Sequence, residues 1–426
     1  MRIVQVNWQD YLGGAGKLTF ELHRHLRMLG YDSKIIAGIK TSSDPDVYLV
    51  TRRRKWGLVS RFLHTRVENT LSLQYWLRLF PLNWLKQEPL RSADVVNLHN
   101  IHGGYFNYLA LPRLTSAKVT CWSLHDMWAL TGLCTYSYEC ERWKTGCYRC
   151  PLLRAHGEER NLLGVEATAF DLTGFIWQIK KNRYSHSQLC VIVASTWMKK
   201  QVEQSILGAY APVVYIPDGT DVAVFHPVDR ALARQLLDIP LDASVVLVYT
   251  TPDSPRKGLT YALEALSRLQ INKPLWIISV GHEGTLKSLE SGAQIREMGY
   301  IASGILRNLC YSASDLFLLP TLADNLPLTV LDALASGTPV VAFKVGGLPD
   351  AVRPMETGYL ARNQDSDDLA RGMYLILSDA ELQLQMSRRC RELAIENYSL
   401  ELQARRYAEL YGSLIEQRKR KTGRAA

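Results

Sequence analysis

Four groups of residues have the types and spacing to do chemistry. Cys134, Cys140, Cys147 and Cys150 lie within 17 residues as C-x5-C-x6-C-x2-C. In a reducing compartment clustered thiols bind zinc more readily than they pair as disulfides. Four thiolates would close a tetrahedral structural site with no open position for catalysis; free thiols or disulfides are the alternative. Arg256 and Lys257 precede Gly258 where an apolar strand gives way to a helix. A cation opposes the dipole at a helix start, so this pair points to an anion, such as a diphosphate whose charge grows as its leaving bond breaks. The plainer reading is a solvated helix end. Asp324 and Asp332 stand with seven residues between them, the first in a polar loop with Asn325 after DLFLLP, the second on the next helix. Carboxylates so placed accept hydrogen bonds from the vicinal hydroxyls of a sugar and a ribose. Otherwise Asp324 is a helix cap and Asp332 a surface charge. Gly13, Gly14 and Gly16 follow the first strand, where bare amides accept an anion or glycine simply makes the turn.

The elements that must position these residues alternate along the chain. RIVQVN is followed by a helical period with Leu18, Leu22, Leu26 and Leu29 on one face and Gly30 as its stop, then by SKIIAG. ADVVNL, KVTCWSL, QLCVIVAS and VVYIP continue the series. Continuous apolar strands separated by helices indicate a parallel sheet covered on both faces. After the Gly/Pro/Asp-rich stretch Pro217 to Pro227 the pattern restarts with SVVLVYTT, LWIISVG, DLFLLPT and TPVVAFKV. The expected fold class is α/β, with two Rossmann-like doubly wound domains facing a cleft. An N-terminal domain spans 1–217 and a C-terminal one 228–397, with a helix and basic tail over 398–426. Ligands of such domains bind outside the carboxyl ends of the strands.

Length and composition exclude other classes. A chain of 426 residues suits two or three domains, and 47% apolar with 21% charged residues excludes general disorder and collagen-like repeats. The N-terminus turns polar after six residues and no stretch is apolar enough to span a bilayer, so a cytoplasmic or peripheral protein is expected. The net charge of +9 is concentrated in residues 47–91, which carry nine Lys/Arg against two Glu, and in the RKRK run near the C-terminus, read as a disordered tail. The first segment mixes Arg52, Arg53, Arg54, Lys55, Arg61 and Arg66 with Trp56, Phe62, Trp76, Phe80 and Trp84. That mixture suits an anionic membrane surface or, equally, a solvated helical excursion. No nucleic acid is expected, because no recognised binding pattern accompanies the charge.

The stretch Pro320 to Asp350 resembles the E-x7-E region of retaining glycosyltransferase family 4 enzymes. Asp324 and Asp332 stand at its acidic positions, followed by Ala333, Ala335, Gly337, Pro339, Gly346 and Gly347. Gly13-Gly14, Lys257-Gly258 and Ile216-Pro217-Asp218-Gly219 with Phe225 and Pro227 fall in the family's order, so the resemblance covers nearly the whole chain. It implies the GT-B fold and transfer of a sugar, with retention, from a nucleotide sugar (a UDP- or GDP-sugar) without a catalytic divalent metal. Lys257, with Arg256, would contact donor phosphates, Asp324 with Asn325 and Leu326 the sugar, and Asp332 the ribose. Gly13 and Gly14 would approach the reaction centre, and His125 of SLHDMW matches the family's N-domain histidine. Three positions depart: Asp replaces Glu twice, Thr251, Pro252 and Asp253 stand where an arginine is usual so that Arg256 is the substitute, and Asp218 replaces the linker Asn. The cysteine segment resembles an insertion in a bacterial exopolysaccharide, colanic-acid-type subgroup, implying a glycan or lipid-linked acceptor at the inner membrane face. The competing readings are a nucleotide-sugar 2-epimerase and a non-catalytic sugar-nucleotide or membrane adaptor with a degenerate site.

Overall fold

The computed structural model describes residues 1–50, 84–154, 170–286 and 292–423. The chain divides into two compact units, Met1–Pro217 with Glu401–Ala426, and Asp218–Leu400. In the first unit the described strands are β1 (Arg2–Gln9), β2 (Asp32–Ile39), β3 (Val47–Leu49), β4 (Val95–Leu98), β5 (Val119–Leu124), β6 (Cys190–Val193) and β7 (Val213–Tyr215), in the order β3-β2-β1-β4-β5-β6-β7. In the second they are β8 (Ser244–Thr250), β9 (Leu275–Gly281), β10 (Gln294–Glu297), β11 (Leu316–Leu319), β12 (Val340–Phe343) and β13 (Gly358–Ala361), in the order β10-β9-β8-β11-β12-β13. Each described pairing is parallel, Val4 opposite Val96 in the first sheet and Phe317 opposite both Leu247 and Val340 in the second. The central strands are buried on both faces, which is why Val245 to Val248 form an unbroken apolar run and Ile3, Val4 and Val6 one interrupted only by the buried Gln5.

Both sheets reverse direction of growth beside their first strand, between β1 and β4 and between β8 and β11. Loops leaving the carboxyl ends of those strands diverge there and leave room for a ligand. The helix Gly13–Met28 buries Leu18, Leu22 and Leu26, while Gly30 takes a φ of 85° that ends it without strain. The last helix, Leu400–Gly423, packs Ala404, Tyr407 and Tyr411 on Ile3, Val95 and Ile192 of the first sheet, and the Tyr407 and Ser123 hydroxyls lie 3.0 Å apart.

Two expectations are corrected. The RKRK run is helical, not a disordered tail, and Arg418 donates to the carbonyls of Thr115 and Ser116 in the first unit. Residues 218–227, read as a linker, belong to the second unit: Asp218, Thr220 and Phe225 are buried, and the Thr220 amide donates to the Tyr398 carbonyl at 2.7 Å. The strands not foreseen, β3, β10 and β13, are edges, where exposed positions in β3 and β10 and half-buried ones in β13 break the apolar run.

Asp315, at the amino end of β11, ties the second unit together. Its carboxylate accepts from Arg234 at 2.9 Å, Arg230 at 2.9 Å and the Val245 amide at 2.7 Å, and Arg234 spends its remaining donors on the carbonyls of Leu241, Ala243 and Ala313. Removing the buried carboxylate strands the guanidinium, so Asp315→Ala should destabilise the protein by roughly 3–5 kcal/mol, read as a lowered urea midpoint.

Candidate functional site

Three adjacent strands of the second sheet deliver one charged cluster. β8 runs into a turn and a single 3-10 turn, Pro255–Lys257, which ends at Gly258 with a φ of 70°. A side chain at Gly258 would meet the Pro320 carbonyl oxygen at 1.9 Å, so glycine lets the turn after β8 lie directly on the loop after β11. The Leu322 amide donates to the Arg256 carbonyl at 2.8 Å and locks the two loops. Asp324 then receives Lys257 Nζ at 2.6 Å and Arg256 Nη1 at 3.0 Å on the same oxygen, Oδ2. From the turn after β12, Gly346 completes the packing: with a φ of 53°, a Cβ there would meet the Asp324 carbonyl oxygen at 1.7 Å. Asp324 is not a helix cap, since the helix Leu328–Ala335 starts after Pro327 and has no side-chain cap. Burial pushes the Asp324 carboxyl up, but Lys257 and Arg256 outweigh it and hold it below the usual carboxylate value. Two cations and one anion leave an excess positive charge at a strand end, the charge pattern of an anion site. Asn325 and Leu326 are buried beside Asp324 in sequence.

Asp332 is not the surface charge of the plainer reading. It is buried, 1% exposed, with Oδ1 accepting the Thr220 hydroxyl at 2.6 Å and Oδ2 facing Arg307 Nη1 at 3.4 Å. Arg307 in turn lies 5.2 Å from the centre of the Phe225 ring. Thr220 and Arg307 were not singled out from the sequence; no local pattern marks them, because their partner is about a hundred residues away for one and on a neighbouring helix for the other. A cavity of about 1300 Å³ opens elsewhere, at the amino ends of β8 and β9 around Arg230, Arg268 and Lys273, and has no part in this cluster.

The carboxyl ends of β1, β4 and β5 carry the polar groups of the first sheet. Gly13 has a φ of 73°, and the helix it opens is preceded by Leu12, which offers no side-chain cap to the first amides. Gly14 has open space at its Cβ position. His125 follows β5, and its Nε2 lies 2.9 Å from Nδ1 of His99, which follows β4. His99 Nε2 lies 2.9 Å from Gln5 Oε1, an acceptor, and 3.1 Å from Asn97 Nδ2, a donor, so the ring is held by side chains of both β1 and β4. Burial drives His99 well below the usual histidine value and, with His102 opposing and Asp126 favouring the charge, brings His125 down to about 4. Asp126 itself accepts from His102 at 3.0 Å and from the Trp128 amide at 2.8 Å. His99 and His102 were missed, although NLH before Asn100 repeats the strand-end form of SLH before Asp126.

Cys134, Cys140, Cys147 and Cys150 are free thiols around one small cavity. Among the described residues no three His, Cys, Asp or Glu side chains are placed within metal-binding distance of one another. Most of the basic aromatic segment, residues 51–83, lies outside the described residues. No helix among the described residues is long and apolar enough to cross a membrane.

The sequence pattern described as Glycosyltransferase Family 4 matches residues 12–224, half of the chain, and that of Glycosyl transferases group 1 matches residues 234–393. The chain belongs to glycosyltransferase family 4. Among its relatives, a D-inositol 3-phosphate glycosyltransferase of Geodermatophilus obscurus is 34% identical over 185 residues, 39% of this chain and 40% of that protein. An uncharacterized glycosyltransferase of Haemophilus influenzae is 32% identical over 151 residues, 34% of this chain and 42% of that protein. The matches thus span about two-fifths of these relatives' length. In fold the chain resembles sucrose-phosphate synthase from Thermosynechococcus elongatus, with a TM-score of 0.68 at 19% identity over 98% of this chain and 100% of that one. Anabaena HepE, seen in complex with UDP and glucose, gives 0.64 at 16% identity over 97% and 100%. Two parallel-sheet, Rossmann-like units of this kind constitute the GT-B fold of the family.

The histidine pair gives a pH dependence with a defined sign. The folded value for His125 is about 4, below the ordinary value of about 6.5. Near pH 7 both folded and unfolded chains are neutral there. As the pH falls from about 6.5 toward 4 the unfolded chain takes up a proton that the folded chain refuses, so stability falls. Thermal unfolding at pH 5 and pH 7 should show that loss, and His125→Asn should reduce it.

Proposed function

We propose that the protein transfers a sugar, with retention of configuration, from a nucleotide-sugar donor to a glycan or lipid-linked acceptor in polysaccharide synthesis. The observation that carries this reading is the Arg256–Lys257–Asp324 cluster at the switch point of the second sheet. Lys257 and Arg256 supply two fixed cations for a diphosphate, and their stabilisation grows as the sugar–oxygen bond breaks and charge gathers on the leaving phosphate. Fixed cations at that position do the work that a divalent ion does in other transferases, and none is part of the proposal. Asp324, released from Lys257 when the diphosphate takes its place, accepts hydrogen bonds from the hydroxyls of the transferred sugar, with Asn325 and Leu326 lining the same loop. Asp332 is assigned to the ribose on the family resemblance alone, its oxygens meeting Thr220 and Arg307 in the ligand-free protein. His125 faces the sugar, and Gly13 and Gly14 admit the reacting groups close to backbone.

UDP is the first donor base to test, since HepE is seen with UDP and glucose, and GDP the second. The exopolysaccharide acceptor rests on the cysteine segment's resemblance, and docking on an anionic inner-membrane surface rests on the charge and aromatics of residues 47–91. A zinc ion on Cys134, Cys140, Cys147 and Cys150 would stand outside this chemistry, because four thiolates leave it no open position. The adaptor and epimerase readings are not favoured by the family's membership, and the paired cations are kept here despite both Asp replacements.

Lys257→Ala should abolish sugar transfer in a protein that still folds, with Arg256 remaining beside Asp324. It should also remove the thermal stabilisation by nucleoside diphosphate, which for a ligand at 100 times its Kd amounts to about 2.7 kcal/mol. Wild-type turnover in that variant would take Lys257 out of the mechanism.

A further inference from the structure

The amino ends of the second sheet carry a concentration of positive charge that the site at the carboxyl ends does not use. The cavity of about 1300 Å³ there is lined by Arg230, Arg234, Arg268, Lys273 and Arg371, against the carboxylates of Asp315 and Asp367. Asp315 is buried and fully engaged, accepting from Arg234, Arg230 and the Val245 amide. Asp367 is met by Arg268 at 3.0 Å. Lys273 and Arg371 are exposed and have no ion-pair partner among the described residues. Arg230 bonds to Asp315 at 2.9 Å and Gln383 at 3.4 Å through Nη1 alone, so its Nε and Nη2 donors have no protein partner. Cations in excess around a concavity raise the local potential and concentrate anions there.

The shape of the site argues for an extended ligand. Its cations come from four separate elements: Arg230 opens the helix Arg230–Leu236, Arg268 ends the helix Leu259–Arg268, Lys273 lies in the loop before β9, and Arg371 is on the helix Ser366–Leu377. Cations spread over four elements around so large a volume suit several negative charges spaced along a ligand better than one phosphate. The same lining includes the amides of Gln270 and Asn272, which donate and accept, and the half-exposed ring of Tyr374, at helical spacing from Arg371. A second cavity of about 410 Å³ shares Arg230, Ala380 and Gln383 with the first, so the two form one groove along the amino ends of β9, β8, β11 and β12. Hydroxyls line its far part: Ser312, Ser336, Thr338 and Ser387. Cations at one end and hydroxyls at the other fit a chain of polyhydroxylated units that carry acid groups. A nucleic acid strand fits less well, because unpaired bases are held by stacking on aromatic rings and Tyr374 is the single aromatic among the described lining residues.

We propose that this groove is a second glycan site, remote from the transfer chemistry, which binds an oligosaccharide bearing carboxylate groups. Lys273, Arg371 and Arg230 pair with the acid groups, and the amides and hydroxyls take the hydroxyls of the sugar rings. That the ligand is a glycan rests on the transferase reading; that the groove takes a polyanion does not. Arg256, Lys257 and Asp324 stand at the carboxyl ends of the same strands and the groove at their amino ends, so a chain held here does not compete with the donor.

Calorimetric titration of the full chain with tetragalacturonate, and with maltotetraose as its neutral counterpart, tests the proposal. The acidic oligosaccharide should bind and the neutral one should not. Binding should fall in about 1 M salt, where the screening length is ~3 Å. Lys273→Gln combined with Arg371→Gln should weaken it by about tenfold, the loss of charge-assisted contacts, while stabilisation by nucleoside diphosphate stays at the wild-type level. No binding of tetragalacturonate, equal binding of maltotetraose, or unchanged affinity in the double variant overturns the proposal. So does displacement of the oligosaccharide by an equal concentration of inorganic phosphate or of a single-stranded oligonucleotide, which would make the groove a site for phosphate or for nucleic acid. Absence of nucleoside-diphosphate stabilisation in the wild-type protein counts against the transferase reading and is read separately from these titrations.

Discussion

One carboxylate facing two cations is the constraint around which the second unit is arranged. Asp324 is buried, and a buried carboxylate persists as an anion only where opposite charge is fixed next to it. Lys257 and Arg256 provide that charge from the neighbouring strand's loop. For the two loops to touch, Gly258 must lack a side chain against Pro320, and Gly346 must lack one against Asp324 itself. The parallel order β8-β11-β12 sets these loops side by side. A sheet built outward from β8 in both directions therefore presents fixed positive charge where its loops part.

The first unit solves a related problem with neutral groups. His99 and His125 meet through one hydrogen bond between Nδ1 and Nε2, and His99 is held in turn by Gln5 on the central strand β1 and Asn97 on β4. Burial keeps both rings neutral, so the arrangement presents a lone pair and not a charge. The last helix closes the same sheet, with Tyr407 against Ser123 on β5. The contrast between the units follows from their inventories: fixed cations suit a phosphate, and neutral donors and acceptors suit hydroxyls.

Much of this was legible in the sequence because the central strands are buried on both faces and so read as apolar runs. β1, β4, β8, β9 and β11 were found within a few residues of their bounds, and the cluster residues Arg256, Lys257 and Asp324 were picked by position at strand ends. Edges were not legible: β10 reads QIRE, half exposed, with no period to detect. Neither was Asp332's burial, since Thr220 and Arg307 reach it only through tertiary packing. The RKRK run illustrates a composition cue overruled by continuation of a helix whose apolar face already packs on the sheet. His99 had a visible signal in its strand-end form, but a lone histidine is more often structural, and only the 2.9 Å contact with His125 gives it a role.

The central claim is that the Asp324 carboxylate occupies, in the ligand-free protein, the cations that a donor diphosphate takes over. Calorimetric titration of Asp324→Asn with the nucleoside diphosphate that stabilises the wild-type protein tests it most directly. Neutralising the carboxylate frees Lys257 and Arg256, so the variant should bind the diphosphate more tightly than wild type, by about tenfold for one pKa-unit equivalent of released charge, while losing sugar transfer. Weaker binding of the diphosphate by Asp324→Asn would contradict the account, because it would make Asp324 a support for the anion site and not its competitor.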